Sequence, residues 1–247
     1  MAISTNPLAW LRSVQPRRAI ALLLLLLPLT VGTQTVRDLW LSMPPSLAPY
    51  LNTSLRTQCL DFYDMHTDAQ TDNALKGKSR IDTLTSTFLA ATLSKAHTVQ
   101  MKLLPASGSD SGSASGSASG LGSSMVSGSG SSSSLSSCDS VLCVVRSWDG
   151  PKRDSEVQLF DRQWKPLQAP LTFSADSFVC RPDTMSEERF SRLVAMLDPI
   201  MFSVSLSPAE NVLLVKLSPI VPNPEDEKAI EQILVQRKLK WNGKTFK

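Results

Sequence analysis

The chain has 247 residues, 42% of them apolar and 19% charged, with 25 Lys+Arg against 22 Asp+Glu for a net charge of +3. That composition excludes wholesale disorder, collagen and coiled coil, and the length allows one large domain or two small ones. Four Cys and two His exclude a disulfide-dense scaffold and a zinc ribbon.

The excess positive charge belongs to the first segment. Residues 1–33 read as a Sec-type export signal, with Arg12, Arg17 and Arg18 as the positive n-region. The apolar stretch Ala19–Leu27, continued by Leu29 and Val31, is interrupted by Pro28 and followed by small residues at Gly32 and Thr33. Its length, about 13 residues, falls short of the roughly 20 that cross a bilayer, though an uncleaved anchor is the alternative. Pro16 before Arg17-Arg18 and the unbroken leucines Leu22–Leu27 favour the general secretory route over the twin-arginine one. The expected location is the periplasm or outside the cell, with no transmembrane span after cleavage. Without the three signal arginines the chain is formally neutral, which removes the electrostatic argument for a nucleic-acid partner.

The remainder, 34–247, reads as a single α+β domain with a disordered Ser/Gly-rich insert at 106–138. Val36, Leu39, Trp40 and Met43 recur at helical spacing, and Pro44-Pro45 breaks the run. Leu55, Cys59, Phe62 and Tyr63 define a second helix within 35–66. From about 79 to 161 the pattern is strand-like: Val99, Met101 and Leu103 alternate with Gln100 and Lys102. Val141, Cys143 and Val145 face one way and Leu142 and Val144 the other, the signature of a central strand covered on both faces. Ser147–Arg153 around Gly150-Pro151 reads as a turn. The insert holds 17 Ser and 7 Gly in 33 positions, too little apolar material for a core. It reads as an expanded hairpin loop, with an interdomain linker as the alternative.

Thr184-Met185-Ser186-Glu187 predicts a capping box ahead of a helix through Phe190, Leu193, Val194 and Leu197 that ends at Pro199. Ile200, Phe202, Val204 and Leu206 alternate with serines and return through Leu213, Val215 and Leu217, a hairpin with one wet face. Asn223-Pro224-Glu225 starts a short helix, and Trp241-Asn242-Gly243-Lys244 predicts a closing two-residue hairpin. N-terminal helices followed by a mainly antiparallel β-sheet with two further helices make the fold class α+β.

Four stretches carry a resemblance: Val36-Arg37-Asp38-Leu39-Trp40-Leu41-Ser42-Met43-Pro44, Leu60-Asp61-Phe62-Tyr63-Asp64-Met65, Gln100-Met101-Lys102-Leu103-Leu104-Pro105 and Gln236-Arg237-Lys238-Leu239-Lys240-Trp241-Asn242-Gly243. Together they resemble the domain of unknown function 3256 family, exported proteins of the Bacteroidales. The resemblance implies a Gram-negative envelope location and transfers no functional residue. It also implies a modification, because bacteria of that phylum O-glycosylate exported proteins at Asp followed by Ser or Thr and a small or aliphatic residue. Thr83, Ser140 and Thr184 are the candidate acceptors.

Few residues suggest chemistry. Asp61, Asp64 and Asp68 would share one face of the second helix, close in sequence to Cys59 and His66. Such carboxylates could hold a hard cation or work as an acid/base pair, or form a solvated acidic face. His97 precedes a strand with no acidic partner readable from spacing and is expected as a loop residue without a catalytic role. No nucleophile elbow, dinucleotide fingerprint or phosphate loop is present, so no cofactor or resident metal is expected. An oxidising compartment permits a disulfide among Cys59, Cys138, Cys143 and Cys180, while Cys143 reads as a small buried hydrophobe. Arg237, Lys238, Lys240, Lys244 and Lys247 fall within the last eleven residues without an acid, and are a candidate contact for an anionic partner or an edge-strand protection device. The expectation is a non-catalytic envelope module that binds a protein, peptide or glycan. The rival is a periplasmic hydrolase or metal-dependent enzyme using the helix carboxylates, and a third reading is an assembly factor.

Overall fold

Strand β5 (Ser140–Asp149) divides the interior, because its apolar side chains leave in both directions. Val141, Cys143 and Val145 enter one hydrophobic cluster and Leu142 and Val144 the other. The computed structural model describes residues 34–106, 140–168 and 170–247, within which Gln34–Lys247 form one compact unit. The expected export signal at 1–33, Cys138 and all of the Ser/Gly insert except Ala106 lie outside the described residues.

Around β5 the chain builds a six-stranded antiparallel meander in sequence order. Its other strands are β1 (Thr71–Asp72), β2 (Lys78–Leu84), β3 (Phe88–Ser94), β4 (His97–Pro105) and β6 (Arg153–Phe160). β4 and β5 pair without interruption from His97↔Trp148 to Pro105↔Ser140, so the strands that flank the Ser/Gly stretch are hydrogen-bonded neighbours. Helices α1 (Val36–Ser42) and α2 (Thr53–Asp64) cover one face of this sheet through Leu39, Trp40 and Leu60, meeting Leu89 and Met101. Burying side chains of this size removes each from water at a gain of about 1.5–3 kcal/mol. The opposite face packs against a three-stranded antiparallel sheet, β7 (Phe202–Leu206), β8 (Val212–Leu217) and β9 (Arg237–Lys240), together with α3 (Glu187–Ala195) and α4 (Pro224–Glu231). The architecture is α+β with two antiparallel sheets. Among the described residues no helix is long and apolar enough to cross a membrane.

Polar side chains join the two sheets. β7 is an edge strand, and its outward amides would be unpaired without help. The amide of Phe202 donates to Asp154 Oδ1 at 3.3 Å, that of Val204 to Ser155 Oγ at 3.1 Å, and that of Leu206 to Gln100 Oε1 at 2.7 Å. Beside them the Lys102 ammonium donates to the carbonyls of Ser207, Pro208 and Glu210 at 2.7, 3.0 and 2.7 Å. The polar alternation of β4 is therefore an inter-sheet surface, and Lys102 is only 2% exposed.

Several boundaries differ from the sequence expectation. The predicted capping box at Thr184 is displaced: α3 starts at Glu187, and Ser186 is its N-cap, with Oγ accepting from the Arg189 amide at 3.3 Å. Asp183 and Thr184 occupy a preceding turn that Met185 closes by donating its amide to the Pro182 carbonyl and burying its side chain. A capping box does occur at Thr35 with Asp38, at the start of α1. The β5–β6 turn is tighter than expected, since Ser147 and Trp148 still pair with Ser155 and Asp154. In the C-terminal hairpin the Asn242 amide donates to the Thr245 carbonyl, which makes Gly243 and Lys244 the central pair, and Gly243 takes the left-handed φ of 92°. α4 begins as expected, with the Asn223 side chain accepting from the Glu225 amide and Pro224 in the first turn.

Candidate functional site

The expected acidic face is dismantled by the way α2 ends. Met65 is the C-cap, His66 follows at φ 52°, the Thr67 amide donates to the Phe62 carbonyl and the His66 amide to that of Tyr63. This is a Schellman termination with histidine where glycine is usual. The chain turns away, so Asp68 lies beyond the helix and cannot continue the spacing of Asp61 and Asp64. Asp61 is exposed, and Asp64 forms an ion pair with Arg37 of α1. Among the described residues no group of three His, Cys, Asp or Glu side chains is placed to hold a metal ion.

The turn builds a different concavity. His66 and Asp68 line one side of a cleft of about 450 Å³, and Arg80 and Asp82 of β2 line the other, with Cys59, Phe62 and Tyr63 also contributing. Asp82 reaches it because β2 slips register against β3 between Ile81 and Thr83, leaving Asp82 as the extra residue of a bulge. Its Oδ1 accepts from Arg80 Nε at 2.7 Å and its Oδ2 from Thr92 Oγ1 at 2.8 Å. Burial pushes the Cys59 thiol up, against a smaller downward effect from Thr71, so it stays protonated and is a poor nucleophile. The cleft can offer imidazole, guanidinium and carboxylate groups to a polar ligand. Arg80 and Asp82 escape sequence reasoning, because only the register slip aims Asp82 at the cleft.

His97 is the first residue of β4 rather than a loop residue, and it is buried. Its Nδ1 meets the Tyr50 hydroxyl, and its ring stacks on Trp148 at 5.2 Å between centroids. Nε2 is buried with no hydrogen-bond partner. Burial, and then the neighbouring Arg146, hold its pKa below the usual histidine value. Cys143 is wholly enclosed, which pushes its thiol strongly up. Among the described residues Cys59, Cys143 and Cys180 form no disulfide with one another.

Of the basic C-terminal residues, the Arg237 and Lys238 side chains have partners within the fold. Arg237 Nε donates to the Ser177 carbonyl at 2.8 Å, while Lys238 pairs with Glu210 at 2.5 Å and holds that carboxyl below the ordinary range. Lys240 exchanges backbone hydrogen bonds with Lys247, and the Lys244 amide donates to Asn242 Oδ1 at 3.0 Å. Of the three candidate glycan acceptors, Thr83 is half-buried in β2 and Thr184 is exposed in its turn. Ser140 is buried, its Oγ accepting from Arg162 Nε at 2.9 Å.

Comparison with known proteins extends the fold and the family. No curated protein matches the chain. A domain of an uncharacterized protein from Porphyromonas gingivalis W83 is similar, with 21% identity and a TM-score of 0.59 over 86% of this chain and 98% of that one. At that identity the likeness shows a shared fold. A family model matches residues 29–112 and 133–246, the strands and helices described above, and the chain therefore belongs to the family described as Protein of unknown function (DUF3256).

Proposed function

We propose that the chain is an exported envelope protein that works in the periplasm as a non-catalytic binding or assembly module. One observation carries this reading: the carboxylates that could have formed a catalytic set are dispersed. Asp64 is committed to Arg37, Asp61 stays in solvent, and Asp68 leaves the helix for a cleft in which both oxygens of Asp82 are already engaged. The Cys59 thiol that lines that cleft is kept protonated by burial. The signal-like residues 1–33 supply the argument for export, and the basic C-terminal hairpin and the exposed Thr184 supply surfaces for a partner and for modification.

Affinity capture of the tagged chain from its native envelope tests the reading. A reproducible partner, recovered equally by the Asp61→Asn/Asp64→Asn variant, is expected. Failure to recover any partner, or a hydrolytic activity that this variant loses, would overturn it. Intact mass of the native protein reports signal removal and any glycan in the same sample.

A further inference from the structure

The outer face of the small sheet carries a concavity of about 240 Å³, lined by Ser203 and Ser205 of β7, Leu214 and Lys216 of β8, and by Arg153 and Gln236. Each of its polar side chains has an N–H or O–H to donate, and among the described residues no carboxylate lines it. Arg153 is held by Asp149 through a two-point contact at 2.7 and 3.0 Å, which leaves Lys216 as the basin's cation without an ion pair among the described residues. Edge protection explains lysines on β9 but not Lys216, which stands on the central strand of its sheet opposite Ser203.

Lys216 and Gln236 also border a second cleft, of about 330 Å³, between the end of β8 and α4. Its apolar lining is Leu217, Pro219, Val221, Ile230, Leu234 and Val235. Both of its carboxylates come from α4: Glu227, which pairs with Lys152, and Glu231. One lysine thus separates an apolar groove from a basin of hydrogen-bond donors.

We infer that these adjoining clefts bind a single-chain amphiphile with an anionic head, the head in the basin at Lys216 and the apolar chain along Val221 and Leu234. This names a ligand class for the binding module proposed above, and so rests on that reading. Glu231 fixes the orientation, because a negative head at the α4 end would meet a like charge. Carboxylate and phosphate heads share the required chemistry: both accept several hydrogen bonds and carry negative charge.

The test titrates the purified chain with decanoate, decyl phosphate, decyltrimethylammonium and inorganic phosphate, all below micelle-forming concentrations. Both decyl anions should bind, and the tighter one identifies the head as carboxylate or phosphate. Decyltrimethylammonium and inorganic phosphate should each bind at least about tenfold more weakly, as expected when charge and chain both contribute. Lys216→Glu should weaken the decyl anions about tenfold or more without moving the thermal midpoint. Val221→Trp, which fills the groove, should abolish the advantage of decyl over hexyl chains. Equal affinity for the cationic amphiphile, binding accounted for by inorganic phosphate alone, unchanged binding by Lys216→Glu, or no binding of either anion would overturn the inference. Affinity capture separates the two failures. A partner recovered without any decyl-anion binding removes the ligand class alone, whereas anion binding without a partner removes the assembly role.

Discussion

A lysine enclosed between two sheets is costly unless its ammonium is fully engaged, and Lys102 meets that condition with three carbonyls of the β7–β8 turn. Burial pulls its pKa down, yet the charged form is the one those carbonyls select. Lys102→Met keeps the stem and removes the donors, so urea unfolding should show a loss of about 3 kcal/mol with an unchanged m-value. His97 makes the opposite choice and is buried neutral. Its folded pKa lies below the ordinary value of about 6.5, so the unfolded chain binds more protons between the two. Stability therefore falls as pH drops from about 6.5 and levels off below the folded pKa. His97→Gln should flatten that part of a plot of thermal midpoint against pH, leaving the carboxylate-driven loss at lower pH in place.

Among elements, the end of α2 shows what a sequence period can and cannot report. Its apolar spacing announces the helix correctly, but the stop is a backbone event, with His66 in a conformation that costs a side-chain-bearing residue about 1 kcal/mol. His66→Gly should raise stability by about 0.5–1 kcal/mol in denaturant unfolding, without altering helix content by circular dichroism. The same contrast runs through the sheets. β5 and the β7–β8 hairpin stand where their alternation puts them, because each strand face meets a single environment. The polar face of β4 is harder to read: Gln100 and Lys102 look like residues for water, but their partners are backbone groups of a strand far along the chain. His66 and Asp68 of the cleft are visible by residue type, whereas Asp82 depends on a bulge that no composition signals. Thr35, with Asp38 three residues on, carries a capping signature as legible as that at Thr184, and it is the one the chain uses as a box.

At the scale of the whole molecule, the Ser/Gly stretch interrupts a continuous ladder. Trp241 Nε1 donates to the Pro105 carbonyl at 2.7 Å on one side of the interruption, and Arg162 holds Ser140 on the other. The register from His97 to Pro105 is complete up to those anchors, and joining two such ends through a long connection carries a closure entropy that grows with its length. Replacing 107–139 by a four-residue turn should preserve the fold and stabilise it by about 2 kcal/mol, the logarithmic cost of closing the longer loop. Calorimetry of the shortened protein checks this, and a lower unfolding temperature would show that the stretch packs on the domain.

The polar seam along β7 also imposes an order of assembly. A meander joins strands that are neighbours in sequence, so β1 to β6 can pair as soon as they leave the ribosome. Gln100, Lys102 and Ser155 then lie on an unfinished surface until the chain beyond residue 200 arrives to complete their hydrogen bonds. The late-made hairpin works as a lock, and Trp241, near the very end, fastens it to the edge of the Ser/Gly stretch. A chain stalled before its final third would expose half of its hydrophobic interior, which makes the last strands the point at which a nascent molecule becomes safe from aggregation.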